Sequence, residues 1–355
     1  MRRLASSAAA AALLCLAGAP SAHAVYDPIA GGSATLTLER SFASYLQANG
    51  ITLSATAPAK KSGAKITLPV SAGKWDPTLG KGTAETEGAI VFKSRKKVPL
   101  KEIAVKAKPT PLLAKVGGGQ LKVASSKSVK ASRLGFGAKL TARKLALTAK
   151  VATRLNKKLR PEVPFAAGQA IGSLTTKVNP ATVAVVPTGK ATLVLDPAFR
   201  AKLESLFVSV NPISPAELSP GPLFSLPVAA EGQIAPDASA GTLRTAGALE
   251  FLQLGAGQVF WAEQWLDLAA KSGLAEVNLQ PSPPFGGKQG QVGVLSLGPH
   301  SVTSEPKQRT VAVNGAPLAL TAAAAAQFNE AFAAGKATFA AGGAFGTVSF
   351  TAQGQ

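Results

Sequence analysis

The chain has 355 residues with one Cys, 38 Lys and Arg against 18 Asp and Glu, and a net charge of +20. One cysteine excludes an internal disulfide or a cysteine-built metal site, and aromatic residues at 6% argue against a base-stacking platform for nucleic acid. Beyond residue 24 the sequence holds one histidine, His300, so neither a Ser-His-Asp set nor a paired-carboxylate site can be assembled except from scattered residues, and catalysis is not expected.

Residues 1–24 begin with the charged Met1-Arg2-Arg3, run through the apolar Ala8–Leu16 and close on the small-x-small triplet Ala22-His23-Ala24, the pattern of a secretory signal peptide. Cleavage there removes Cys15 and leaves a secreted, extracytoplasmic chain associated with the cell envelope. No later stretch reaches the roughly 20 apolar residues of a membrane helix, so no transmembrane segment is expected. Next, Ala34, Leu36 and Leu38 alternate with Ser33, Thr35 and Thr37, which predicts a strand with one buried face. Ser41–Gln47 predicts a short helix that stops at Gly50 and carries Phe42 and Tyr45 one turn apart. Gly88–Phe92 reads as a strand, and Lys93-Ser94-Arg95-Lys96-Lys97 as a charged hairpin. A second helix is predicted after a Thr148 cap, with Leu147, Val151, Leu155 and Leu159 on one face, followed by a strand over Ile171–Val178.

These elements then recur. Gly32-Ser-Ala-Thr-Leu-Thr-Leu returns as Gly189-Lys-Ala-Thr-Leu-Val-Leu, Leu68-Pro69-Val70 as Leu226-Pro227-Val228, and Gly82–Phe92 as Gly241–Phe251. Near the ends, Leu147-Thr148-Ala149 with Leu155-Asn156 matches Leu320-Thr321-Ala322 with Phe328-Asn329, and Ile171-Gly172 matches Phe345-Gly346. The offset drifts from 157 to 174, so insertions fall between the matched blocks, as in two homologous domains whose loops have changed length. The expected organisation is a signal peptide (1–24), domain 1 (25–187) and domain 2 (188–355), each a β-sandwich with short covering helices; the fold class is mainly β. Charge divides the same way: 27 Lys and Arg against 7 Asp and Glu in 25–187, but 9 against 11 in 188–355. The first half is therefore built to meet polyanions, which outside the cell are anionic wall or surface polymers and acidic head groups.

The blocks Ser41-Phe42-Ala43-Ser44-Tyr45-Leu46, Gly88–Phe92, and Leu320–Asn329 followed by Gly335 resemble the haem-transport-associated (HtaA) domain, in two diverged copies. The resemblance implies a β-sandwich that binds haem at the envelope and exchanges it with haem-transfer proteins. It also implies a tyrosine iron ligand at Tyr45 and a histidine after the middle strand that bonds the phenolate. Here that position lies in Lys93–Lys97, which has no histidine, and Lys202 replaces the tyrosine in copy two.

Two readings of Tyr45 stand side by side: a haem ligand, or a ring packed on Phe42. Arg95 is a candidate partner that favours the phenolate or meets a haem propionate, and alternatively a solvated hairpin charge. His300 reads as a turn residue, and Trp261 and Trp265 as core or edge packing. Two functions follow: a haem-binding envelope protein acting through domain 1, or a non-catalytic envelope protein whose basic domain docks on anionic polymer.

Overall fold

The structure is a computed structural model that describes residues 26–78, 80–106, 112–116, 119–220, 223–281 and 291–355. Residues 1–24, expected to be a signal peptide, lie outside them. Strand dominates, in one 12-stranded and one 14-stranded sheet. The alternation expected for the first strand is present: Ala34, Leu36 and Leu38 are buried while Ser33, Thr35 and Thr37 face outward.

The sheets differ from the expected open sandwich, because each closes on itself. In the first, strand Asp27–Leu38 lies between Lys65–Asp76 and Ala170–Pro180. The ladder continues both ways until Lys97–Lys106 pairs with Leu112–Val116, which completes an eight-stranded ring. The second ring closes through Thr310–Leu320 and Ala344–Gly354. Closure satisfies backbone groups that an open sheet would leave at its edges, and it needs sharp strand coiling. The repeated glycines supply that coiling. A Cβ on Gly32 would stand 2.1 Å from the Lys177 carbonyl oxygen, and one on its counterpart Gly189 would stand 1.9 Å from that of Thr351. Only glycine permits such an approach of neighbouring strands.

Two helices cover each ring: α1 (Arg40–Ala48) and α2 (Ala149–Leu159) on the first, α3 (Pro197–Ser205) and α4 (Ala322–Phe332) on the second. Val151, Leu155 and Leu159 of α2 are buried, as are Ala324, Phe328 and Phe332 of α4. Thr321 caps α4 by accepting from the Ala324 amide at 3.1 Å. Thr148 does not cap α2 with its side chain. Its hydroxyl donates instead to the Lys122 carbonyl on the adjacent strand, which ties the helix start to the ring.

The two cores are filled differently. Trp261 sits in the second core against Phe251, Phe328 and Phe345, at ring-centroid distances of 5.2, 5.4 and 5.2 Å. By pairing register Trp261 is the counterpart of Leu100, since Leu249 pairs with Trp261 as Ile90 pairs with Leu100. Phe328 and Phe345 likewise stand where the first half has Leu155 and Ile171. With leucine and isoleucine at these positions, the first core leaves an apolar cavity of about 20 Å³ bordered by Leu36, Phe42, Leu100, Leu155 and Ile171. Between the halves, Phe136 leaves the first sheet to join the second core, and Arg133 donates to the Gln355 carbonyl at 2.6 Å.

Candidate functional site

Tyr45 projects from α1 at the edge of an aromatic group. Its ring stacks on Phe42, 6.2 Å between centroids, and meets Phe165 edge-on at 5.1 Å. Its hydroxyl donates to the Val163 carbonyl at 2.6 Å. Burial raises the phenol pKa above its usual value, the opposite of what an anionic iron ligand requires. The segment 161–165, which follows α2, is thus fastened to α1. Asn156 fastens it again from α2: its side-chain amide donates to the Phe165 carbonyl at 2.9 Å, and its oxygen accepts from the Phe165 amide at 2.7 Å.

The second half repeats this fastening with other side chains. Asn329 donates to the Phe339 carbonyl and accepts from the Phe339 amide, both at 2.8 Å. Lys202, in the place of Tyr45, donates to the Thr338 carbonyl at 2.9 Å and lies 5.6 Å over the Phe339 ring. Tyrosine and lysine therefore do the same job, each holding its first helix to the segment after the second. The sequence repeat contained Asn156 and Asn329, but their role depends on partners that only the fold brings near.

Arg95 is exposed on its hairpin, whereas its neighbour Ser94 donates to the Leu159 carbonyl at 3.1 Å. Segment 159–165 thus carries the partners of both Tyr45 and the hairpin. His300 bonds through Nδ1 to the Gly298 carbonyl at 3.0 Å, within its own turn. Trp261 is core, and Trp265 is half-buried on a strand paired on both sides, with the Arg244 guanidinium 5.3 Å from its ring centre. Among the described residues there is no group of three His, Cys, Asp or Glu side chains able to hold a metal ion. No helix among them is long and apolar enough to cross a membrane.

A different arrangement covers the outside of the first ring. Alternation sends Ser33, Thr35 and Thr37 outward, and the registers extend this row across neighbouring strands. Thr67, Thr35, Thr175 and Thr141 align in consecutive pairs, with the Thr35 and Thr67 hydroxyls 3.2 Å apart and Lys60 and Lys130 at the two ends. In the next row Ser33 faces Lys177, and Lys177 faces Lys139. Directly opposed like charges destabilise a strand pair. The Lys115–Glu102 ion pair of the first sheet lies elsewhere. The result is a band of hydroxyl and lysine side chains across these strands, with the exposed Glu87 beyond Pro69 at its margin. On the second ring the same positions lose the charge: Lys139 and Lys177 become Ala312 and Thr351, and Lys65 becomes Leu223.

No family model and no curated protein matches the chain. In structure it is similar to the C-terminal domain of HtaA from Corynebacterium glutamicum, with a TM-score of 0.37, 15% identity, and coverage of 48% of this chain and 98% of that one. It is similar also to the N-terminal domain of the same HtaA, with a TM-score of 0.36, 16% identity, and coverage of 48% and 99%. The heme-binding protein HtaB of C. glutamicum gives a TM-score of 0.36 at 10% identity and coverage of 49% and 95%. At such distances any function must be argued from this chain's own side chains.

Proposed function

We propose that the protein is an exported, non-catalytic envelope-binding protein of two tandem domains, whose basic first half docks on anionic wall or surface polymers. The observation that carries this reading is the Lys139–Lys177 pair: two outward lysines directly opposed on neighbouring strands, beside a row of threonines. A phosphate or carboxylate lying across them removes the mutual repulsion and gains charge-assisted hydrogen bonds. The threonine rows offer further donors to the same strand of polymer.

The test titrates inorganic polyphosphate into the protein and into Lys177→Glu. The variant turns a like-charge pair into an ion pair, so it should fold at least as stably while binding polyphosphate about ten-fold more weakly at low salt. Undiminished binding in the variant, or binding by the parent that ignores ionic strength, would refute the docking mechanism.

Haem binding through domain 1 is the second reading, favoured by one feature: Tyr45 and the Ser94–Arg95 hairpin meet the same short segment, 159–165. The residues as placed do not fit a haem. The phenol is engaged by Val163, its pKa is raised, and the one histidine among the described residues, His300, bonds within its own turn. Haemin titration with a Soret readout, repeated on Tyr45→Phe, decides this reading, and a saturable shift lost in the variant would establish it.

A further inference from the structure

At one end of the second ring, Phe207 follows α3 and Leu254 occupies the turn of the hairpin Ala248–Asp267. They are the two most exposed large apolar residues among those described, at 87% and 88%. Their turns adjoin. Val208 pairs with Gln253, and one further step of that register sets Phe207 opposite Leu254. The Gln253 side chain, donating to the Leu206 carbonyl at 2.8 Å, ties the two turns to each other.

Phe207 has φ of +54°, a left-handed backbone that bulky side chains rarely adopt. The first half places Gly50 at this position with φ of +59°, and open space surrounds it. Opposite Gly50, by the same register, stands Arg95. The fold therefore asks for glycine here and for no apolar side chain opposite. The second half instead carries a strained aromatic and an exposed leucine that return no packing to their own core. Strain held without an internal contact points to a partner outside the molecule.

We propose that Phe207 and Leu254 form a two-pronged apolar tip that inserts into a lipid surface. Together the two side chains expose on the order of 300 Å², far below the roughly 1,000 Å² of a stable protein interface. They project from turns and line no groove, so a fluid apolar medium can surround both while a folded partner would need a matching pit. Neither prong is charged, and on α3 Arg200 and Glu204 pair with each other at 3.3 Å. Insertion is accordingly hydrophobic and insensitive to salt, unlike docking through the lysine band.

Flotation of the protein with phosphatidylcholine vesicles tests this, alongside Phe207→Gly, Leu254→Ser and the double variant. The parent should float with vesicles at low and high salt. Each single change should weaken partitioning roughly ten-fold, and the double variant should abolish it. Phe207→Gly should also raise the Tm, which separates loss of binding from loss of folding. A parent that stays with the lipid-free fraction, a double variant that floats as well as the parent, or vesicle binding abolished by salt would each overturn the proposal. So would a concentration-dependent dimer, seen by sedimentation and lost in the double variant, because a second copy would then cover the tip.

Discussion

The two halves place different chemistry on matched elements. At the foot of the first helix one uses Tyr45 and the other Lys202, yet each donates one hydrogen bond to the segment after the second helix. On the outer face one carries Lys139 and Lys177 where the other carries Ala312 and Thr351. Inside, Leu100, Leu155 and Ile171 give way to Trp261, Phe328 and Phe345. What both halves keep, namely the corner glycines, the helix-face residues and the fastening asparagine, is what the fold requires. What they change is free to serve function or to fill volume.

The comparison breaks most readily in the cores. Trp261→Leu, which installs the first half's residue, should cost about 3 kcal/mol in urea unfolding because the surrounding rings cannot collapse onto the space. A cost below about 1 kcal/mol would show that the aromatic filling is dispensable. Next come the asparagines. Asn156→Ala removes two hydrogen bonds to the backbone and should cost about 2 kcal/mol, whereas Asn329→Ala removes three, the third from the Thr338 amide, and should cost about 3 kcal/mol. A cost at Asn329 no larger than at Asn156 would show that the additional Thr338 bond contributes nothing.

The junction between the halves adds a pH dependence. Asp27 accepts from the Ala184 amide at 3.4 Å, and Asp76, Arg133 and Arg309 face it. Desolvation raises its pKa from 3.8 to about 6, against the lowering effects of the Ala184 amide and the two arginines. Between those values the folded carboxyl holds a proton that the unfolded chain has lost, so stability falls as pH rises through this window. Asp27→Asn should therefore leave stability unchanged near pH 4 and raise it by about 2 kcal/mol at neutral pH. Equal effects at both pH values would show that the carboxyl titrates normally.

The smallest effect is expected at the tyrosine. Tyr45→Phe removes one partly exposed hydrogen bond and should cost about 1 kcal/mol, while Tyr45→Lys should recover part of it by copying the second half. A lysine variant less stable than the phenylalanine variant would show that the two positions are not equivalent.

Much of this architecture can be read from the residues alone, for a local reason. Alternation in Ala34–Leu38 and the spacing of four from Leu147 to Leu159 fix which side of an element is apolar, and burial follows. The repeat marks Gly32, Gly172, Asn156 and Phe42 as shared, and the charge count separates a basic half from a neutral one. Closure of each sheet into a ring was not legible, because it depends on the first strand, Asp27–Leu38, pairing with Ala170–Pro180 from the far end of the same half. Nor was the partner of Tyr45, a carbonyl 118 residues away, or the meeting of Lys139 with Lys177. The sequence by itself determined the β-rich, duplicated plan and its uneven charge, since these rest on local pattern and composition. Tertiary structure alone decided which donors fasten which segments, which lysines face each other, and which two apolar side chains reach solvent together, because those adjacencies are created only when distant strands pair.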